Sequence, residues 1–483
     1  YGHDVDTSLE PRPIFVKNKL AQIIVILICF DYPSGWPSVF LNLLSFAMKG
    51  PGEVEMFCRV LNTLDEEVIS LDYPRKPDEI ATATRIKDAM RSQCVSQIVG
   101  TCYNLMMAYK GSRPHLAGMV LQTLQRCVAW IDINLVANDT FIPIIFEFVT
   151  SPQESTELRG AALDCLLAIV SKRMEASLKL SLLGQLQIGR ICGPNMEKQG
   201  TELALKSSAL LTCFANEVLE CHKKLPGGSS TGGTSAEELL DAVLPSIFYY
   251  LQYGEEEISS TTFQFFTNYV TAMKTIKFSG EKQAAHLTQI LDAISKRMCY
   301  DPEDQECLDL PDNTGKEEEE RMSEYRKDLL GLFRSIHRFA PNVTVGFVKG
   351  NLARSLGNPE VQFQEAEAAI TLFYILGEGL TEESFKSGNA DVEEMANILF
   401  TSQICCHSHR LVALPYLETV TRYGRLVQQH PEYIPVILGI FLDKRGIHHP
   451  NHNVSGRASY LFMRFVKMLR LQLLPYVEVV LQV

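Results

Sequence analysis

Between residues 443 and 470 the chain reads DKRGIHHPNHNVSGRASYLFMRFVKMLR. Cations at Lys444, Arg445, Arg457, Arg464 and Lys467, with His448 and His449 beside them, suit the holding of a row of phosphates, with no bond made or broken. On a helix running from Arg457, the residues Ala458, Leu461, Phe462, Phe465, Met468 and Leu469 gather on one side. Arg457, Tyr460, Arg464 and Lys467 form a stripe well away from that seam. The setting is acidic: the whole chain carries a formal charge of −12. Residues 401–483 hold nine Lys/Arg against four Asp/Glu, so +5 sits there and −17 in the preceding 400 residues. Such segregation is what a phosphate track needs in an acidic protein. The plainer alternative is the wet face of an ordinary buried helix. Arg85, Lys87 and Arg91 form a second, smaller candidate of the same kind.

The opposite chemistry is concentrated in Asp301–Glu320, which holds ten carboxylates against Lys316 and ends in Glu317, Glu318, Glu319 and Glu320. Such a run is expected to project as a solvated acidic loop, 301–320, ahead of a helix starting near Met322. Bond-making chemistry has little support. No phosphate loop, dinucleotide fingerprint or nucleophile elbow occurs. Cys405-Cys406-His407-Ser408-His409 offers soft ligands without the paired spacing of a structural zinc site. His448, His449 and His452 read as a solvated loop, and pairs such as Glu66-Glu67 as solvent faces. No catalytic residue, metal site or cofactor is expected; a metal enzyme built on the Cys/His run would carry stoichiometric zinc.

The elements that position these side chains follow from apolar spacing. Apolar residues recur at intervals of three and four almost throughout, as in Ile98, Thr101, Cys102, Leu105 and Met106, or Leu163, Leu166, Leu167 and Val170. Short breaks such as Gly50-Pro51-Gly52, Gly111-Ser112-Arg113-Pro114, Ser151-Pro152 and His430-Pro431 separate the segments. Many fall in antiparallel pairs, among them 115–130 with 134–149 and 410–429 with 432–443. Helix pairs recurring at about 40 residues are the mark of an all-α HEAT-repeat solenoid, in which stacked pairs share the core that no single pair could bury. At 483 residues the chain is too long for one compact core, so a single superhelical array over 1–483 is expected. A Gly/Ser/Thr-rich stretch, 225–236, reads as a flexible loop, with Ser235 and Glu238 forming a capping box for the helix that follows. Trp36 and Trp130 read as filling between repeats, and the thirteen cysteines as reduced, packed thiols. The longest apolar run is too short to span a bilayer. A start at Tyr1 and a last helix running into Val483 suggest a piece of a longer protein.

Several stretches together resemble one family. FVKNKLAQIIVILICFDYPSGWP (15–37) is similar to the exportin repeat in which a basic helix start leads to an aromatic-Pro-x-x-Trp turn. RIKDAMRSQC (85–94), VAWIDINLVANDTFIPIIF (128–146), CHSHRLVALPYLETVTRY (406–423), YIPVILGIFLD (433–443) and RASYLFMRFVKMLR (457–470) resemble the exportin-T family of karyopherins. KRMEASLKLSLLGQLQIGRI (172–191) and ERMSEYRKDLL (320–330) lean toward its plant form. The resemblance implies a monomeric carrier that binds tRNA together with the GTP-bound form of the GTPase Ran, meets nuclear pore proteins, and shuttles between nucleus and cytoplasm without entering a membrane. It turns the basic strip into a candidate tRNA contact, reading backbone and shape rather than bases. It also makes Glu317–Glu320 a candidate contact for Ran. The rival is a receptor for protein cargo, or a HEAT scaffold with no RNA role.

Overall fold

The computed structural model describes residues 13–70, 74–192, 200–225, 235–276, 280–300, 316–358, 361–380, 390–402 and 409–481. Among these every regular element is helical. The single array expected over 1–483 groups into two compact units, Tyr1–Ile247 and Phe248–Val483.

Helix starts follow the punctuation in the sequence. Proline opens the helices Pro51–Leu64, Pro77–Gln93, Pro114–Val128 and Pro341–Leu356, at a position whose N–H would have no partner in any case. Ser155 caps Thr156–Ser171 by accepting from the Leu158 N–H at 3.2 Å. The Ser235/Glu238 box forms in both directions, at 2.9 and 3.1 Å. The rest of the stretch expected as a flexible loop, residues 226–234, lies outside the described residues.

In the first unit, α1 (Ile14–Asp31), α2 (Pro51–Leu64), α3 (Pro114–Val128), α4 (Thr156–Ser171) and α5 (Thr201–Lys224) pack in series. In the second, the series runs α6 (Lys316–Phe339), α7 (Phe363–Leu376), α8 (Arg410–Arg422) and α9 (His452–Leu469). Helices in the middle of a series are covered on two sides. α4 accordingly buries Leu158, Leu163, Cys165, Leu166, Ile169 and Val170.

The repeat length is written in the polar contacts as well as in the core. Lys17–Glu55 (2.8 Å), His115–Glu157 (2.7 Å), Asp164–Lys206 (2.6 Å), Arg326–Glu367 (2.7 Å), Lys349–Asp391 (3.0 Å) and Glu418–Arg457 (2.8 Å) join residues 38 to 42 positions apart. Each rung ties a helix to its equivalent one repeat on. Exposed rungs contribute about 0.2–1 kcal/mol each. Arg326–Glu367 differs, because its side chains are only 9% and 5% exposed and the Thr371 hydroxyl also donates to the carboxylate at 2.9 Å.

Three boundaries differ from the sequence reading. The helix placed at 134–149 begins as α-helix only at Phe141, after a short 3-10 turn at Ile133–Leu135. The segment 410–429 breaks at Tyr423, whose hydroxyl donates to the Phe373 carbonyl at 2.8 Å while its ring stacks on Phe373. Gly424 follows, and the thioether end of Met468 packs against it. The third difference concerns the acidic run. Its last residues, Glu317–Glu320, are not loop but the opening of α6, which begins at Lys316 rather than near Met322. Carboxylates in the first turns of a helix face the positive end of its dipole, which offsets their mutual repulsion. Residues 301–315 of the expected acidic loop lie outside the described residues.

Candidate functional site

The basic strip begins in a tight turn. Gly446 lies so close to the Phe441 and Ile440 carbonyls that no side chain fits there, and the Ile447 N–H closes the turn on Phe441 O at 2.9 Å. This turn presents Lys444 and His448 to solvent and leaves Arg445 half-buried. Arg445 folds back on Asp443, donating from Nε at 2.8 and 3.0 Å. His449 accepts from the Asn451 N–H at 3.0 Å through Nδ1. Burial, with the nearby charge of Arg410, holds the His449 imidazole below its usual pKa, so the ring is neutral at neutral pH and adds no cation to the strip. Asn451 then caps α9, accepting from Asn453 N at 2.9 Å and Val454 N at 3.4 Å.

Along α9, Val454, Ala458, Leu461, Phe465 and Leu469 are buried, while Arg457, Tyr460, Arg464 and Lys467 are exposed. The two faces expected from the helical period are present. The cations divide. Arg457 donates from two nitrogens to Glu418 on α8, at 2.8 and 2.9 Å, and is one of the repeat rungs. Arg464, Lys467 and Lys444 form no ion pair with any described residue. Arg470, just beyond the helix, is also exposed without one, and the sequence reading left it out. Tyr460 and Met463, 47% and 44% exposed, flank the cations, so the face is mixed rather than purely charged.

The smaller basic trio is mostly engaged. Arg85 donates to the Cys29 carbonyl. Arg91 donates to the Trp130 carbonyl at 2.8 and 2.9 Å, pairs with Asp88 at 2.8 Å and lies over the indole, 5.9 Å from its centroid. That makes Arg91 a cap on the chain leaving α3, helped by Lys172, which donates to the Val128 and Ile131 carbonyls at 2.7 and 2.9 Å. Lys87 is half-buried and has no ion pair with a described residue. These contacts support a structural role for Arg85 and Arg91.

On the acidic side, Glu317 and Glu320 are exposed, and Glu319 forms an ion pair with Arg410 at the start of α8. Local spacing could not have found that pair, because its members stand 91 positions apart. Cys405, Cys406 and His407 lie outside the described residues. Among the described residues no group of three or more His, Cys, Asp or Glu is gathered as a metal site would need. Burial raises the thiols of Cys58, Cys127 and Cys165 to about 12, so these are inert core groups. No described helix is long and apolar enough to cross a membrane.

Two family descriptions match. Residues 13–166 match "Exportin 1-like protein" and residues 230–483 match "Exportin-T". Among curated proteins, the chain is 49% identical over 471 residues to Exportin-T of Arabidopsis thaliana, covering 97% of this chain and 48% of that protein. It is 42% identical to Exportin-T of Oryza sativa subsp. japonica (99% and 48% covered) and 30% identical to that of Homo sapiens (97% and 49%). The chain thus spans about half the length of the curated relatives it matches. Among solved structures, "Importin13 cytosolic state" superposes with a TM-score of 0.72 at 14% identity, covering 99% of this chain and 56% of that one. That likeness establishes the HEAT-repeat fold.

Proposed function

The chain belongs to the exportin-T family, and from that premise we propose that it is part of a non-enzymatic nuclear export receptor that carries tRNA with GTP-bound Ran. The receptor moves between nucleus and cytoplasm and meets nuclear pore proteins on the way. The observation that carries the RNA reading within this chain is the exposed face of α9, where Arg464 and Lys467 stand without a carboxylate partner among the described residues. With Lys444 and His448 at its base, this face is suited to phosphates along a folded RNA, and such contacts are indifferent to base sequence. A carrier for many tRNAs needs that indifference. Arg457 and Arg445 contribute less, because a phosphate would have to displace Glu418 or Asp443 first. Glu317–Glu320 remain the proposed contact for a basic surface of Ran.

The test is tRNA binding by the full-length protein, with and without Ran-GTP, across a salt series. Binding should be much tighter with Ran-GTP than without it and weaken steeply with salt. Arg464→Glu with Lys467→Glu should weaken it and reduce the salt slope by about two, one for each lost phosphate contact. Helical content and melting should not change. A receptor for protein cargo would bind no tRNA under either condition, and an unchanged slope in the double variant would remove the strip from the interface.

A further inference from the structure

Some ion pairs depart from the rung spacing, among them Arg126–Glu66 and Arg321–Glu256, and Glu319–Arg410 reaches farthest along the chain of those described. Glu319 and Arg410 are separated by two repeats rather than one. The helix series explains how they meet. α7 starts at Phe363, four residues before Glu367, whereas Glu319 lies seven residues before Arg326, the partner of Glu367. The first turns of α6 therefore extend past the start of α7. α7 and α8 begin close together, with Phe363 and His409 stacked at 3.9 Å between ring centroids. Glu319 thereby reaches the first residue of α8.

Arg410 also stands level with the base of the basic strip. Glu418 on α8 pairs with Arg457 on α9, an offset of 39, and the same offset from Arg410 arrives at His449. The charge of Arg410 is one of the influences on the His449 imidazole, as that register requires. The Arg410 and Glu319 side chains are 20% and 29% exposed, so both are partly dehydrated yet open to a competitor.

We propose that Arg410 is an additional phosphate-binding residue of the basic strip, held in reserve by Glu319 until an RNA phosphate competes for its guanidinium. A planar guanidinium donates to a carboxylate or a phosphate through the same N–H groups, so a phosphate can take the place of Glu319. The exposed carboxylate of Glu317 repels a phosphate approaching from that side. A cationic protein surface that engages this helix start releases Arg410 and relieves the repulsion together. Each partner then tightens the other by the same factor.

This inference rests on the strip being the RNA contact, and the experiment separates the two. Binding of a tRNA transcript to the full-length protein is measured without Ran-GTP, from low salt upward, for wild type, Glu319→Gln, Arg410→Gln and the double variant, with melting curves as a folding control. Glu319→Gln should tighten binding about two- to five-fold, as expected for loss of one partly exposed ion pair. Arg410→Gln should weaken it and lower the salt slope by about one. The gain from Glu319→Gln should vanish in the Arg410→Gln background. If the gain persists there, it comes from diffuse charge and the reserve role is wrong; no gain at all overturns it equally. Should Arg410→Gln melt early, Arg410→Met, which keeps the stem's packing without the charge, takes its place, and a Glu319→Gln gain that persists in that background is equally fatal. Failure of the strip itself is distinct: wild type binds, but reversing Arg464 and Lys467 changes nothing.

Discussion

Whether a cation can serve a ligand depends on what already holds it. Arg457 and Arg464 sit two helical turns apart on the same face, and nothing in their local sequence distinguishes them. Glu418, 39 residues upstream, makes one a rung and leaves the other open. Arg457→Gln should therefore lower stability by about 0.2–1 kcal/mol, measured by urea melting, with a smaller effect on RNA affinity than Arg464→Gln. Asp443 was visible two positions from Arg445, but adjacency alone does not reveal that the Gly446 turn folds the guanidinium back onto it. His337 supplies a pH test. Its Nδ1 is buried without a hydrogen-bond partner among the described residues, and burial depresses its pKa. The unfolded chain then takes up the proton more readily than the folded one. Stability from this site is complete above about pH 6.5 and declines as the pH falls toward the lower folded value. His337→Gln should flatten the loss of stability seen by urea melting between pH 7 and pH 5.5.

At the level of helices, starts were legible because proline, serine and asparagine act locally. Pro114, in a break expected between helices, opens one, and the Ser235/Glu238 box forms as its spacing predicts. Interruptions caused by remote partners were not legible: the break at Tyr423 depends on Phe373, fifty residues away. The start of α6 was not legible, because four adjacent glutamates repel one another locally and the helix end that attracts them exists only once the helix has formed. Gly424→Ala would meet only the flexible thioether end of Met468, which can swing aside, and should cost less than about 1 kcal/mol in a thermal melt. The buried rung between α6 and α7 should be more sensitive. Arg326→Met leaves the Glu367 carboxylate buried without its counter-charge and should cost about 3–5 kcal/mol, whereas adding Glu367→Leu should restore much of the loss in a thermal melt.

Across the whole molecule, stacking means that stability is shared between neighbours rather than pooled. Arg326→Met should speed amide exchange in α6, α7 and the helices packed on them, while α3 and α4 in the other compact unit keep their protection; hydrogen-exchange mass spectrometry would show a uniform rise instead if the chain opened as one body. The rungs bear on how such a chain is made. With partners only 38 to 42 residues apart, a helix leaving the ribosome can be fastened to its predecessor after about 2–8 s of translation, before much apolar surface has been left bare. The Glu319–Arg410 pair must wait more than twice as long. Assembly from the amino end forward, with that contact added late, is thus already implied by the distances along the chain between its charged partners.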